Sequence, residues 1–151
     1  MTLRDDVSQA VKQATLARDK DRLGTLRLIS SKIKDLDIEA RGKAKGATPD
    51  DEILAALAKM IKQREESAGL YDKGGRPELA ARERSEIEIV RAFMPRQMSE
   101  DEVRAAAQAA ITQTGAASGK DMGKVMAVLK ERHAGQMDFG RASALVKGLL
   151  G

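Results

Sequence analysis

Apolar residues in the first forty positions recur every three or four residues, the period of a helix that packs one face against a core. Thr2 can cap a first helix, whose apolar face holds Leu3, Val7, Ala10, Val11, Ala14 and Ala17. Asp19 begins a second helix, whose apolar face holds Leu23, Leu26, Ile29, Ile33 and Leu36. The run "ARGKAKGATPD", residues 40–50, contains glycine and proline and predicts a basic loop.

Two further helices are predicted before Pro95. Thr48-Pro49 reads as a capping hydroxyl followed by proline at the first helical position. The apolar face of this third helix holds Ile53, Leu57, Met60, Ile61, Ala68 and Tyr71. The break "DKGGRPE" leads to Pro77, which opens a fourth helix with Leu79, Ile87, Val90 and Met94 on one side. This helix is expected to stop at Pro95, because proline disfavours the helical state in the residue before it.

A second group of three shorter helices follows. Ser99 and Glu102 form a capping box, Gly115 ends the fifth helix, and Asp138 caps the last one. We therefore predict an all-α protein, with a four-helix N-terminal subdomain in residues 1–95 and a small three-helix C-terminal subdomain in residues 96–151.

Composition supports helices and narrows the chemistry. Charged residues make up 33% of the chain and aromatic residues only 2%, so residues that favour strands are scarce. There is no cysteine and only one histidine, which excludes disulfides, thiolate zinc sites and clusters of imidazole ligands. The first ten residues are polar, and no apolar run approaches the roughly 20 residues of a membrane span. On this basis we expect a cytoplasmic protein that does not bind membranes.

The positive charge is concentrated in the second helix. Between Arg18 and Lys45 there are nine Lys/Arg and five Asp/Glu. This excess of four positive charges equals the net charge of +4 of the whole chain. Four of these cations recur every seven residues and fall on one helical stripe about 31 Å long: Lys20, Arg27, Lys34 and Arg41. Such a row is either a solvated helix face or a track for the phosphates of a nucleic acid. The aromatic residues Tyr71, Phe93 and Phe139 fall on apolar stripes, so no platform for stacking single-stranded bases is predicted.

The segment "GAASGKDMGKVMAVLKERHAG", residues 115–135, contains two Gly-Lys pairs. It does not match the phosphate loop of nucleotide-binding proteins, because each glycine spacing is one residue short and no Ser or Thr follows the lysine. Helical spacing instead predicts a core-facing stripe of Met122, Val125, Met126, Leu129 and His133, with Lys120 and Lys124 on the opposite, solvated face. Gly123 lies at the flank. It is expected either to allow a close helix crossing or to let phosphates approach the positive end of the helix.

Arg64, Glu83 and Glu86 fall inside otherwise apolar stripes of the third and fourth helices. A charge on a core-facing stripe needs a partner, so we expect Arg64 to pair with Glu83 or Glu86 across the helical hairpin. Paired carboxylates can also act as an acid/base couple, but no nucleophile, metal-ligand set or histidine accompanies them. A structural ion pair is therefore the favoured interpretation, with no catalytic residue and no metal site.

Three stretches together resemble the YqeY-like family: "DKDRLGTLRLISSKIKDLDIEARGK", "KMIKQREESAGLYDKGGRPELAARERSEIEIVRAFMPRQMSEDEV" and "GAASGKDMGKVMAVLKERHAGQMD". The part after Pro95 also resembles, more weakly, the tail domain of the B subunit of aspartyl/glutamyl-tRNA amidotransferase. The resemblance implies an all-helical protein of two subdomains whose tail belongs to a class that contacts tRNA. A family-level label would be a carbon-nitrogen ligase with glutamine as amido-N-donor, but the catalytic machinery of the amidotransferase lies outside its tail.

The expected function is therefore a non-catalytic accessory module that binds tRNA or assists a tRNA-charging enzyme, without a small-molecule cofactor. The candidate nucleic-acid contacts are Lys120, Gly123 and Lys124 in the tail, and Lys20, Arg27, Lys34 and Arg41 in the second helix. The alternative is a helical protein-protein interaction module without RNA binding.

Overall fold

Every regular element in residues 2–151, the part of the chain that this computed structural model describes, is helical, which confirms the predicted all-α class. The α-helices are α1 (Leu3–Leu16), α2 (Lys20–Gly42), α3 (Asp50–Lys73), α4 (Pro77–Arg91), α5 (Glu100–Thr114), α6 (Met122–Arg132) and α7 (Phe139–Leu150), and a short 3₁₀ turn, Gly119–Asp121, precedes α6. The chain divides into two compact units, one that runs to Met94 and one from Pro95 to Gly151. Among the described residues, no helix combines the length and apolar character needed to cross a membrane.

Local capping explains where most helices begin. Thr2 and Asp5 form a capping box at the start of α1, and the side chain of Asp19 accepts the backbone N–H of Arg22 at the start of α2. The predicted box of Ser99 and Glu102 opens α5. Each of these side chains satisfies backbone N–H groups that the first helical turn leaves without partners. These helix starts are therefore set by contacts between residues that are three positions apart in the sequence.

The first unit packs α1 and α2 against the hairpin of α3 and α4. Its core combines residues from all four helices, and its fully buried members include Val7, Leu26, Ile29, Ile53, Leu57 and Val90. α4 ends at Arg91 rather than continuing to Pro95, because Phe93 and Met94 form tight turns to the carbonyls of Val90 and Arg91. The apolar residues predicted for these helices are buried or half-buried, except Ala17, which follows the end of α1 and is exposed.

The predicted cap of α3 is wrong by one position. Pro49, rather than Thr48, is the N-cap residue, and α3 begins at Asp50 without a side-chain cap. Thr48 is instead held by distant residues: its N–H donates to Asp37 Oδ1 at 3.0 Å, and its carbonyl accepts from Arg4 at 2.7 Å. Its hydroxyl is buried and has no hydrogen-bond partner in residues 2–151. These tertiary contacts override the local capping signal.

The second unit is a small bundle of α5, α6 and α7 around its own core. Its buried members are Ala107, Ala110, Val125, Met126, Leu129, Met137, Ala142 and Val146. Gly115 ends α5 in the left-handed conformation, and Asp138 caps α7 by accepting the N–H groups of Gly140 and Arg141. Small and flexible side chains fill most of this core. Phe139 is half-buried and packs against its edge.

Candidate nucleic-acid interface

The four periodic cations lie along the exposed side of one uninterrupted helix. Lys20, Arg27, Lys34 and Arg41 all belong to α2 and are exposed. None of them has an ion-pair partner among residues 2–151. Their positive charges are therefore available to an external anion without the loss of an internal salt bridge.

The strip beside this row contains small residues, two exposed apolar side chains and the exposed carboxylate of Asp35. A Cβ added at Gly24 would have no atom within 4 Å, so the backbone of α2 is open to solvent at that point. On a helix, Gly24, Leu28, Ser31 and Ile38 follow one another at spacings of three, four or seven residues next to the cations. Leu28 and Ile38 are 52% and 59% exposed. The strip thus combines an open backbone with apolar side chains that the fold leaves exposed to solvent.

Both ends of α2 adjoin a residue in the left-handed conformation that is not glycine. Arg18, just before α2, has φ +55°, and Ala44, just after it, has φ +56°. Each turn is closed by two backbone hydrogen bonds. At the end of α1, the N–H groups of Arg18 and Asp19 donate to the carbonyls of Thr15 and Ala14. At the end of α2, the N–H groups of Ala44 and Lys45 donate to the carbonyls of Arg41 and Ala40. The cation row therefore lies between two strained turns that the sequence did not predict.

The loop between α2 and α3 is held in place by one partly buried ion pair. Arg4 on α1 makes a two-pronged contact with the carboxylate of Asp37 on α2, and it also donates to the carbonyl of Thr48. The Arg4 guanidinium, assisted by the N–H of Thr48, holds the pKa of Asp37 well below its usual range. This pair was not predicted from the sequence, because Arg4 and Asp37 are 33 residues apart. The signal that could have found it is the position of Asp37 at the edge of the apolar stripe of α2.

The tail helix has the predicted orientation. Val125, Met126 and Leu129 are buried, Met122 is half-buried, and Lys120 and Lys124 are exposed. Lys120 belongs to the 3₁₀ turn before α6 rather than to the α-helix itself. The two ammonium groups therefore occupy the region around the first turn of α6, where the helix dipole favours anions.

Gly123 does not mark a helix crossing. A Cβ built at this position would meet no atom within 4 Å, and the residue is exposed. The expectation that a second helix packs closely against Gly123 is therefore wrong. A glycine inside a helix costs about 1 kcal/mol relative to alanine, and packing within the described chain does not explain this cost.

Arg64 pairs with only one of its two candidate partners. Its Nε donates to Glu86 Oε2 at 3.1 Å, and a second nitrogen donates to the carbonyl of Met60 at 3.3 Å. Glu83 is half-buried and makes no ion pair within residues 2–151. No group of three or more His, Cys, Asp or Glu side chains able to hold a metal ion occurs in the same range. The contact between Arg64 and Glu86 is a structural link between α3 and α4.

A comparison with protein families decides the classification of the chain. The sequence profile described as "Yqey-like protein" matches residues 4–150, which is nearly the full length. The chain belongs to the YqeY-like family. The family resemblance of the three sequence stretches is thereby confirmed.

Relatives of this YqeY-like chain match a shorter segment. A protein of Lachancea thermotolerans named "Altered inheritance of mitochondria protein 41, mitochondrial" is 36% identical over 90 residues, which cover 59% of this chain and 46% of the relative. The protein of the same name from Eremothecium gossypii is 31% identical over 90 residues, or 58% of this chain and 46% of the relative. An uncharacterized protein of Schizosaccharomyces pombe is 34% identical over 83 residues, or 55% of this chain and 64% of the relative. The chain spans about half the length of the first two of these relatives.

The names of the relatives contradict the expected cytoplasmic location. Proteins from four organisms that are similar to this YqeY-like chain carry the word "mitochondrial" in their names. The expectation rested on the absence of cysteine and on a polar, acidic beginning of the chain. These features argue against an oxidising compartment, but they do not distinguish one reducing aqueous compartment from another.

Proposed function

We propose that this chain is a non-catalytic helical module that binds the phosphate backbone of structured RNA and assists a tRNA-charging enzyme. The observation that carries the proposal is the row of four exposed cations on α2 that make no ion pair within residues 2–151. tRNA is the favoured RNA because the second unit resembles the tail of a tRNA-dependent amidotransferase.

The row supports backbone recognition rather than base recognition. Its cations are spread over about 31 Å of straight helix, a length suited to several phosphates of a folded RNA. Recognition of bases in single strands uses exposed aromatic side chains as stacking platforms. The aromatic residues here, Tyr71, Phe93 and Phe139, are half-buried against other parts of the fold. We therefore expect affinity to depend on RNA shape and charge rather than on sequence.

The tail supplies a second candidate contact. Lys120 and Lys124 flank the first turn of α6, and the exposed backbone at Gly123 would let a phosphate oxygen come close to the helix without meeting a side chain. Packing within residues 2–151 does not account for this glycine, and its position between two exposed lysines is the reason that we propose contact with a ligand. Each unit thus carries cations next to an open glycine.

Titration of fluorescent tRNA with the full chain at several salt concentrations tests the proposal. The logarithm of the binding constant should fall linearly with the logarithm of salt, because bound lysines and arginines release counterions from the RNA. The double change Lys120→Ala/Lys124→Ala should make this slope shallower by about one to two units. An unstructured oligoribonucleotide of equal length should bind more weakly than tRNA. Undetectable binding of tRNA at low salt contradicts the proposal.

A second candidate function, a protein-interaction module without RNA affinity, is favoured by Leu28 and Ile38. These side chains are exposed beside the cation row and have no use in RNA backbone binding. A partner protein with an acidic, apolar surface would match both features. Under this alternative, Leu28→Ser/Ile38→Ser would abolish capture of a purified tRNA-charging enzyme in the absence of RNA. Under the RNA proposal, the same variant would bind tRNA as the unaltered protein does.

A further inference from the structure

Arg18 occupies a backbone position that usually belongs to glycine. Its φ of +55° lies in the left-handed region, where the Cβ of an ordinary residue crowds the backbone. Gly75 and Gly115 take the corresponding place after α3 and α5, with φ of +70° and +67° and the same pair of closing hydrogen bonds. The chain therefore uses glycine for this helix ending elsewhere and an arginine between α1 and α2.

The fold itself gives no reason for a guanidinium at this position. The residue is exposed, and its side chain makes no hydrogen bond or ion pair to any other group of residues 2–151. The turn is closed by backbone groups alone, so a glycine would preserve every one of its hydrogen bonds. An arginine that strains the backbone and makes no hydrogen bond or ion pair within residues 2–151 has its guanidinium available to an external group.

We propose that Arg18 is a further phosphate contact and forms the first member of the cation row on α2. Its Cα lies at most about 7 Å from that of Lys20, because only two peptide units separate them. With Arg18 included, the row holds five exposed cations that make no ion pair within the described part of the chain. This inference rests on the proposed function, since it assigns one more residue to the same RNA-binding face.

The test compares Arg18→Gly with Ala44→Gly. Both changes relieve a left-handed residue in the same type of turn, at the two ends of the same helix, but only the first removes a charge. Both variants should melt at a temperature about 2–5 °C higher. Arg18→Gly should weaken tRNA binding at low salt by about threefold to tenfold and make the salt slope shallower by about one unit. Ala44→Gly should leave both RNA measurements unchanged, and Arg18→Lys should retain the slope.

Other results overturn the inference. If both variants bind tRNA as tightly as the unaltered protein, Arg18 does not contact phosphate, although the proposed function stands. If both variants weaken binding to the same extent, turn geometry rather than the guanidinium matters. If the unaltered protein binds no tRNA at any salt concentration, the proposed function fails and the inference fails with it.

Discussion

Arg64 of α3 and Glu86 of α4 form the most buried of the ion pairs that join these two helices, since the pairs Asp72–Arg84 and Glu65–Arg91 are more exposed. The Nε of Arg64 lies 3.1 Å from Glu86 Oε2, and the side chains are only 15% and 25% exposed. Arg64 also donates to the carbonyl of Met60 one turn earlier on its own helix. The arginine thus has two acceptors, of which only Glu86 belongs to the neighbouring helix and links α3 to α4.

Removal of Glu86 should destabilise the first unit. Glu86→Ala leaves a mostly buried guanidinium without its carboxylate, and we expect a loss of about 1–2 kcal/mol in the free energy of unfolding. This is less than for a fully buried pair, because solvent still reaches part of both side chains. Urea denaturation followed by circular dichroism measures the change.

Glu83→Ala is the matched control for Glu86→Ala. Glu83 lies one turn away on α4, is half-buried and has no ion-pair partner in residues 2–151. Its removal should change stability by less than about 0.5 kcal/mol. Equal losses for the two variants would show that the Arg64 pairing contributes nothing specific.

Alanine at the open helix glycines should increase stability and decrease RNA binding. Gly24→Ala and Gly123→Ala should each stabilise the protein by up to about 1 kcal/mol, because alanine favours the helix and the added methyl meets no atom. The same methyl should hinder the approach of phosphates beside Lys20 and Lys124. Thermal melting and tRNA titration measure the two effects.

Gly69→Ala serves as the comparison for these glycine variants. Gly69 is inside α3, and a methyl there also meets no atom within 4 Å, but the charges three and four residues away are mainly acidic: Glu65, Glu66 and Asp72, with Lys73 as the one cation. This variant should be stabilised with unchanged tRNA affinity. If it weakens binding as much as Gly24→Ala does, the open glycines have no special part in RNA contact.

Acid should release the contact that holds the loop before α3. The folded pKa of Asp37 is lowered by Arg4, so its contribution to stability is complete above about pH 5 and is lost as pH falls below about 4. In the second unit, Arg96 lowers the pKa of Glu102 to about 2, which predicts a similar loss between its ordinary pKa and about pH 2. Melting temperatures measured from pH 7 to pH 2 should therefore fall in this range.

Asp37→Asn isolates the first of these two acid effects. Asparagine cannot ionise, so the variant should be less stable at pH 7, and its stability should depend less steeply on pH below about 4. Trypsin should also cleave faster after Lys43 and Lys45, because the carboxylate that accepts the N–H of Thr48 and positions Arg4 is lost. An unchanged pH profile would show that Asp37 does not carry the acid sensitivity.

The sequence predicted what depends on neighbouring residues and missed what depends on distant ones. Thr2, Asp19 and Ser99 act on N–H groups within the next turn, so their helices begin where predicted. Thr48 has the same local signal, but Arg4 and Asp37 hold its backbone and move the helix start by one residue.

The candidate site was predictable only in its periodic part. A seven-residue repeat identified Lys20, Arg27, Lys34 and Arg41, because exposure on a helix follows from spacing alone. The conformation of Arg18 was not predictable, since ordinary propensities place glycine in a left-handed turn. The sequence also left two alternatives open for Gly123, because no pattern within one helix reveals whether another helix lies above it.

The salt dependence of tRNA binding by Arg27→Ala/Lys34→Ala tests the RNA-binding role of α2 most directly. The control, Lys62→Ala/Lys73→Ala, removes the same charge from exposed positions on α3 that make no ion pair in the described residues. We predict that the salt slope becomes shallower by about two units for the α2 variant and by much less for the α3 variant. Equal slopes for the two variants would mean that net charge, and not the row on α2, governs RNA binding.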